Sequence, residues 1–115
     1  YRKDNNKPLK FKIKNKIIKK KMGWCNDSRS KKYNKEISFP FKYGAEKLYR
    51  KDKIYDLFIN IKYNFSPVIK EKGSAIFLHI TDDKYKPTKG CVAIAKKDFL
   101  KILPLINNKT KISIG

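Results

Sequence analysis

The chain has 115 residues, enough for one domain. Its 30 basic and 10 acidic residues give a formal charge of +20, but a hydrophobic fraction of 40% predicts a packed core and excludes wholesale disorder. No apolar run reaches the roughly 18 to 20 residues that a transmembrane helix needs, so we expect no membrane-spanning segment. The start of the chain also carries no apolar stretch typical of a signal peptide.

The basic residues are mostly lysine. Only Arg2, Arg29 and Arg50 are arginines, and Lys, Ile and Asn together fill 51 of the 115 positions, a bias that an AT-rich genome would impose. Sites that recognise phosphates or bases favour arginine because its planar fork binds in a bidentate way. We therefore interpret the lysines as a solvated surface, which would also concentrate the protein near an anionic polymer. A basic nucleic-acid-binding module remains an alternative function.

The first half of the chain gives weak structural signals. Loose alternation predicts an edge strand and a charged loop over residues 10–21, and turn-forming residues predict a long structured loop over 23–34. Residues 38–41 are expected to be extended because a residue before proline avoids the helical region. Residues 45–50 are predicted to form a short helical turn.

The second half gives stronger signals. Alternation predicts a strand over residues 55–63, and the run at 74–80 is apolar on both faces, which is typical of a covered central strand. From Ala95 the apolar spacing becomes helical, and Pro104 limits this helix to two or three turns. A last short strand is predicted at 111–114, so strands dominate the chain.

Two cysteines and one histidine carry the candidate chemistry. Their scattered positions do not match the spacing of zinc ligands, so we predict no metal site and no cofactor. His79 ends the apolar strand, and Cys91 follows after eleven intervening residues, directly behind Gly90 and ahead of the helix. If the two side chains meet, the imidazole would take the thiol proton, lower the thiol pKa and create a nucleophile. Backbone amides around Cys91 could then donate to an oxyanion.

The alternative is that both residues are structural, since a histidine at a strand end is commonly just hydrogen-bonded and cysteines are often buried. Cys25 is the competing nucleophile. Its loop offers no base, so we expect it to line a pocket or to be structural.

The residues around Cys91 resemble a known family. Residues 73–80 (GSAIFLHI), residues 85–94 with the pattern Tyr-x-Pro-Thr-x-Gly-Cys-Val-Ala-Ile, and Asp98-x-Leu100 are similar to the active-site block of the L,D-transpeptidase family, the YkuD-type domains that cross-link peptidoglycan. Residues 23–27 (GWCND), 33–34 and 48–57 resemble a bacterial branch of that family. The resemblance covers the chain from Gly23 onward.

The resemblance implies a mostly β fold, a sandwich or barrel-like sheet with one short helix after the catalytic cysteine. Residues 1–115 would form a single L,D-transpeptidase-like catalytic domain that the chain enters partway. Cys91 would form an acyl-enzyme with a peptidoglycan stem peptide and pass it to an amine or to water, with His79 as base and then acid. It also implies the bacterial cell envelope (periplasm) as location, peptidoglycan stem peptides as partners, and no nucleic acid.

The resemblance assigns further residues. Thr88 and Gly90 match the loop and oxyanion positions, and five residues are expected to line the substrate groove: Lys89, Tyr85, Trp24, Tyr33 and Asn34. Two positions depart from the family pattern, because Lys89 stands where a second histidine is common and Ala93 where an arginine is common. These departures leave a catalytically inert cell-wall-binding relative as a second alternative.

Overall fold

The computed structural model of the chain describes residues 1–65, 67–81 and 91–113. In this part of the chain, two three-stranded sheets contain all the regular strands. The first sheet has the order β2-β1-β3, with β1 (Met22–Cys25) antiparallel to both β2 (Glu36–Ser38) and β3 (Ala45–Lys47). Its strands are short, with four residues in β1 and three each in β2 and β3.

The second sheet contains the strand predicted to be central. β5 (Phe77–Ile80) lies between β4 (Phe58–Asn60), which is antiparallel to it, and β6 (Val92–Ile94), which is parallel. Helix α1 (Lys96–Ile102) follows β6 and tightens into a 3-10 turn at Leu103–Leu105; another 3-10 turn lies at Lys3–Asn5. The mostly β fold with one short helix after Cys91 is therefore confirmed.

Two hydrophobic clusters lie on opposite faces of β5. The first cluster consists of Ile18, Leu48, Tyr55, Ala75 and Phe77, and the second of Leu57, Leu78, Ile80, Phe99 and Leu103. Side chains alternate along a strand, so His79 shares the face of Phe77 while Leu78 and Ile80 face the second cluster. All four residues of β5 are buried, as its apolar sequence predicts.

The predictions of the helix after Ala95 and of a strand within residues 55–63 agree with the structure. The helix begins after Ala95, and its last turn tightens at Pro104. The predicted strand at 55–63 is present, although only Phe58–Asn60 pair regularly. Among the described residues, no helix has both the length and the apolar character to cross a membrane.

Other local predictions are wrong. Residues 45–47, predicted to be helical, form β3 because they pair with Gly23–Cys25 of β1, which itself lies in a predicted loop. Pairing between distant segments overrides local preference at both places. Residues 10–18 and 111–113 contain no regular strand, and residue 114 lies outside the described residues. β6 was not predicted, because three residues give too little alternation to be recognised.

Candidate active site

Cys91 lies immediately before β6, alongside the strand that carries His79. The register of β5 and β6 pairs Leu78 with Val92, so Cys91 is level with Phe77. The Phe77 N–H donates to the Cys91 Sγ at 3.4 Å, and the thiol donates to the Ala75 carbonyl at 3.1 Å. The half-buried sulfur is thus held against the backbone that leads to His79.

The electrostatic environment of Cys91 favours the protonated thiol. Burial raises the pKa of Cys91 because the thiolate would lose hydration, and the negative charge of Glu46 raises it further. The hydrogen bond from the Phe77 N–H acts in the opposite direction but does not prevail. This direction is opposite to the lowered pKa expected from the sequence, so the described surroundings of Cys91 favour the thiol over the thiolate.

His79 is buried within β5, with only 5% of its surface exposed. Its Nδ1 lies 2.8 Å from the Ile80 carbonyl oxygen. Since a carbonyl oxygen can only accept, Nδ1 carries a hydrogen, so the tautomer that fits this contact has its lone pair on Nε2. The backbone of β5 thereby selects the tautomer that a general base needs.

Tyr55 packs beside the histidine. Its ring meets the imidazole edge-on at a centroid distance of 5.6 Å and meets Phe77 at the same distance. Cys91 packs against the first cluster, to which Tyr55 belongs. The Tyr55 hydroxyl donates to Glu46, and burial together with this hydrogen bond raises the pKa of Tyr55 far above its ordinary value. Tyr55 therefore stays neutral and fixed between Glu46 and His79.

Ala75, whose carbonyl accepts the thiol hydrogen, has an unusual backbone. Its φ is +58°, a left-handed conformation that is uncommon for a residue with a Cβ. The Ala75 N–H donates to Asn34 Oδ1 at 3.2 Å. Asn34 Oδ1 also accepts from the Trp24 indole at 3.0 Å, and its amide nitrogen donates to the carbonyls of Tyr63 and Asn64. Asn34 thus stabilises the backbone against which Cys91 rests.

Three of the predicted groove residues lie close to this arrangement. Trp24 is half-buried and packs edge-on against Phe77 at 5.2 Å. Tyr33 and Asn34 are buried, and the Tyr33 hydroxyl accepts a hydrogen bond from the Gly73 N–H. The polar groups of all three are therefore engaged within the protein, and a role in contacting substrate stays a prediction.

Of the remaining positions named from the sequence, Ala93 is described by the structure and four others are not. Ala93 pairs with His79 across β5 and β6. Four predicted residues lie outside the described residues: Tyr85, Thr88, Lys89 and Gly90.

Cys25 differs from Cys91 in its access to solvent. It is completely buried in β1, with its sulfur 3.7 Å from the Asp27 carbonyl, and it is not joined to Cys91 by a disulfide. A sulfur without exposed surface cannot meet a peptide substrate, which supports the structural role expected for Cys25.

Within residues 1–65, 67–81 and 91–113, no group of three or more metal-binding side chains is present.

Sequence reasoning missed Glu46, Tyr55 and Ala75 as neighbours of the cysteine and histidine. Glu46 fell in a predicted helical turn, and Tyr55 was interpreted only as the start of a strand. Ala75 belonged to an apolar run in which a positive φ has no sequence signature. These three residues reach the site through tertiary contacts, so a local pattern could not have identified them.

A known family model matches the sequence of this chain. The model of the family YkuD, described as the L,D-transpeptidase catalytic domain, matches residues 3–114, nearly the whole chain. No curated protein and no solved structure matches the chain.

Proposed function

Because the chain belongs to the L,D-transpeptidase catalytic domain family, we propose that it is a cysteine acyltransferase acting on peptidoglycan stem peptides in the bacterial cell envelope. One observation carries the proposal. The Cys91 sulfur is hydrogen-bonded to the backbone of Phe77 and Ala75, and the strand that contains Phe77 holds His79 with its Nδ1 on a carbonyl, which leaves Nε2 to act as a base. Cys91 is the nucleophile, and His79 is the base and then the acid.

In the first half of the reaction, substrate binding displaces the thiol from the Ala75 carbonyl, and its proton passes to His79 Nε2. The thiolate attacks the carbonyl at the L-centre of the diamino acid in the stem peptide. A carbon–sulfur bond forms, the peptide bond to the terminal D-amino acid breaks, and His79 protonates the departing amine. The backbone amides of Gly90 and Cys91 stabilise the oxyanion, and Thr88 shapes their loop.

In the second half, an amine of another stem peptide, or water, attacks the thioester. His79 takes a proton from the attacking group, the carbon–sulfur bond breaks, and the sulfur recovers a proton. An amine acceptor yields a cross-link, whereas water yields a shortened stem. Both outcomes regenerate the resting thiol.

The positions of the arginines argue against the nucleic-acid alternative. Each of the three forms an ion pair with an aspartate two residues away in sequence: Arg2 with Asp4, Arg29 with Asp27, and Arg50 with Asp52. Their forks are therefore occupied by carboxylates within the protein, whereas recognition of bases or phosphates would need them. The remaining cations are lysines, which suit a nonspecific attraction to polyanions.

The test is intact-mass analysis after exposure to a carbapenem, a β-lactam that acylates cysteine nucleophiles of this family. We expect a single adduct on the native chain and on Cys25→Ala, and none on Cys91→Ala. His79→Gln should form the adduct at least about 100-fold more slowly, because general-base assistance is lost. Circular dichroism of each variant controls for folding.

The same experiment separates the alternatives. An adduct that persists in Cys91→Ala and disappears in Cys25→Ala would contradict the assignment of the nucleophile. A folded native chain that forms no adduct and releases no D-amino acid from a tetrapeptide stem would favour the inert wall-binding relative.

A further inference from the structure

Glu46 places a carboxylate one side chain away from His79 of the proposed catalytic pair. It lies in β3, opposite Trp24 of β1, and its side chain is 27% exposed. Its Oε1 accepts the Tyr55 hydroxyl and lies 3.6 Å from the Arg50 guanidinium. Within the part of the chain that the structure describes, no hydrogen bond reaches Oε2. One oxygen of a partly exposed carboxylate thus remains available to a ligand.

The carboxylate is close to the reacting groups. A single side chain, Tyr55, separates Glu46 from the His79 ring, because the Tyr55 hydroxyl bonds Glu46 and its ring packs on the imidazole. The charge of Glu46 also reaches Cys91, where it disfavours the thiolate.

A negative charge at this place is a disadvantage for the nucleophile alone, because it opposes formation of the thiolate. Arg50 offsets this charge only in part, because its Nη1 pairs with Glu46 Oε1 at 3.6 Å while its Nε and Nη2 bind Asp52. The chain carries only 10 acidic residues against 30 basic ones, so a carboxylate whose charge disfavours the Cys91 thiolate calls for an explanation. Binding of a cationic group of the substrate would supply one.

We propose that Glu46 is an ammonium-binding residue that captures the protonated amine of the acceptor stem and so favours aminolysis of the acyl-enzyme over hydrolysis. This inference rests on the proposed function, because it assigns the second substrate of the same site. Oε2 binds the ammonium, while the Tyr55 hydroxyl holds Oε1 in place. Water is uncharged and is not attracted by this carboxylate. The increase in acceptor affinity is therefore specific for a cationic acceptor.

The transfer step then balances as follows in atoms and protons. The bound ammonium releases one proton to solvent, and the lone pair of the resulting amine attacks the thioester carbon. The carbon–nitrogen bond forms, and the carbon–sulfur bond breaks with its electron pair leaving on sulfur. A second proton of the amine passes through His79 to that sulfur, which gives an amide and the resting thiol.

The experiment compares acceptors in the full chain. Each protein is incubated with a tetrapeptide stem as donor and with increasing concentrations of a tripeptide stem as cationic acceptor, and the cross-linked and hydrolysed products are quantified by mass spectrometry. Hydroxylamine, which is uncharged at neutral pH, serves as a second acceptor. The variants are Glu46→Gln, which keeps an acceptor for Tyr55 but removes the charge, and Glu46→Asp, which keeps the charge. Glu36→Gln is the control, because Glu36 pairs with Lys16 away from the cysteine.

We expect Glu46→Gln to raise the half-saturating concentration of the tripeptide roughly fivefold, the scale of a partly exposed ion pair. Its reaction with hydroxylamine should not be weakened, Glu46→Asp should recover part of the loss, and Glu36→Gln should match the native chain. An unchanged tripeptide dependence in Glu46→Gln, or an equal loss with both acceptors, would overturn the inference alone. A native chain that forms no thioester with the donor would overturn the proposed function, and this inference with it.

Discussion

The thiol of Cys91 rests in a position that stabilises its neutral form. The Ala75 carbonyl accepts the thiol hydrogen, and a thiolate at the same place would meet the negative end of that carbonyl dipole. Burial and the charge of Glu46 act in the same direction. In the proposed mechanism, a substrate would therefore have to replace the contact with Ala75 before the proton moves to His79.

The pH dependence of alkylation tests this resting state. Because the pKa of Cys91 is raised, its thiolate fraction should still be rising above pH 8.5, the ordinary midpoint for a thiol. Glu46→Gln should move the midpoint to lower pH, because one of the causes of the rise is removed. Iodoacetamide labelling rates between pH 6 and 11 measure both midpoints, with Cys91→Ala as the blank for Cys25. A native midpoint at or below 8.5 would contradict the resting arrangement.

At the scale of the elements, Gly23 explains why β1 was missed. Glycine suggests a turn, but here it lies within a strand, where an added Cβ would sit 2.5 Å from the Phe39 ring and 2.9 Å from the Ile37 side chain. The glycine is therefore required by close packing across β1 and β2. This requirement depends on residues 14 and 16 positions away, so it leaves no local signal.

Gly23→Ala should consequently destabilise the fold. The added methyl group would overpack the interface with Phe39, at a cost of about 1–3 kcal/mol in the free energy of unfolding. Gly44→Ala is the matched control, because its nearest neighbour would lie 3.3 Å away, at a surface turn. Urea unfolding followed by tryptophan fluorescence measures both variants. Equal stabilities for the two would show that the interface with Phe39 has room to relax.

The same contrast between local and distant information applies to the rest of the chain. β5 and α1 could be predicted because a doubly apolar run and a helical spacing are contained within a few residues. Cys91 and His79 could be proposed because their motif is also local. β3, the hydrogen bonds of Asn34 and the contact between Glu46 and Tyr55 could not, since each depends on segments that meet only after folding.

At the scale of the whole molecule, three aspartates each fix one of the three arginines. Arg2 binds Asp4 and lowers the pKa of that carboxyl to about 2. The pKa values of Asp27 and Asp52 are lowered in the same way by Arg29 and Arg50. These ion pairs matter for a chain of charge +20. Protonating one of the carboxylates removes its ion pair and also increases the repulsion among the positive charges of the protein.

Stability should therefore fall on acidification. A carboxyl whose pKa is lower in the folded state stabilises that state fully above its unfolded pKa of about 4, and the benefit is lost as the pH falls through the folded pKa. Asp27 binds the Arg29 side chain and the Gly44 N–H, so Asp27→Asn should flatten the loss of melting temperature between pH 5 and pH 2. Asp98→Asn, in the first turn of α1, should leave the slope as it is. Equal slopes in all three proteins would argue against this role of Asp27.

The two faces of β5 also have a practical consequence. Leu78 and Ile80 project toward the helix, while His79 projects toward the opposite layer. Substitutions of Leu78 and Ile80 could thus raise the free energy of unfolding without changing the residues that surround His79. Thermal stability and catalytic rate could then be engineered independently at different positions of one four-residue strand.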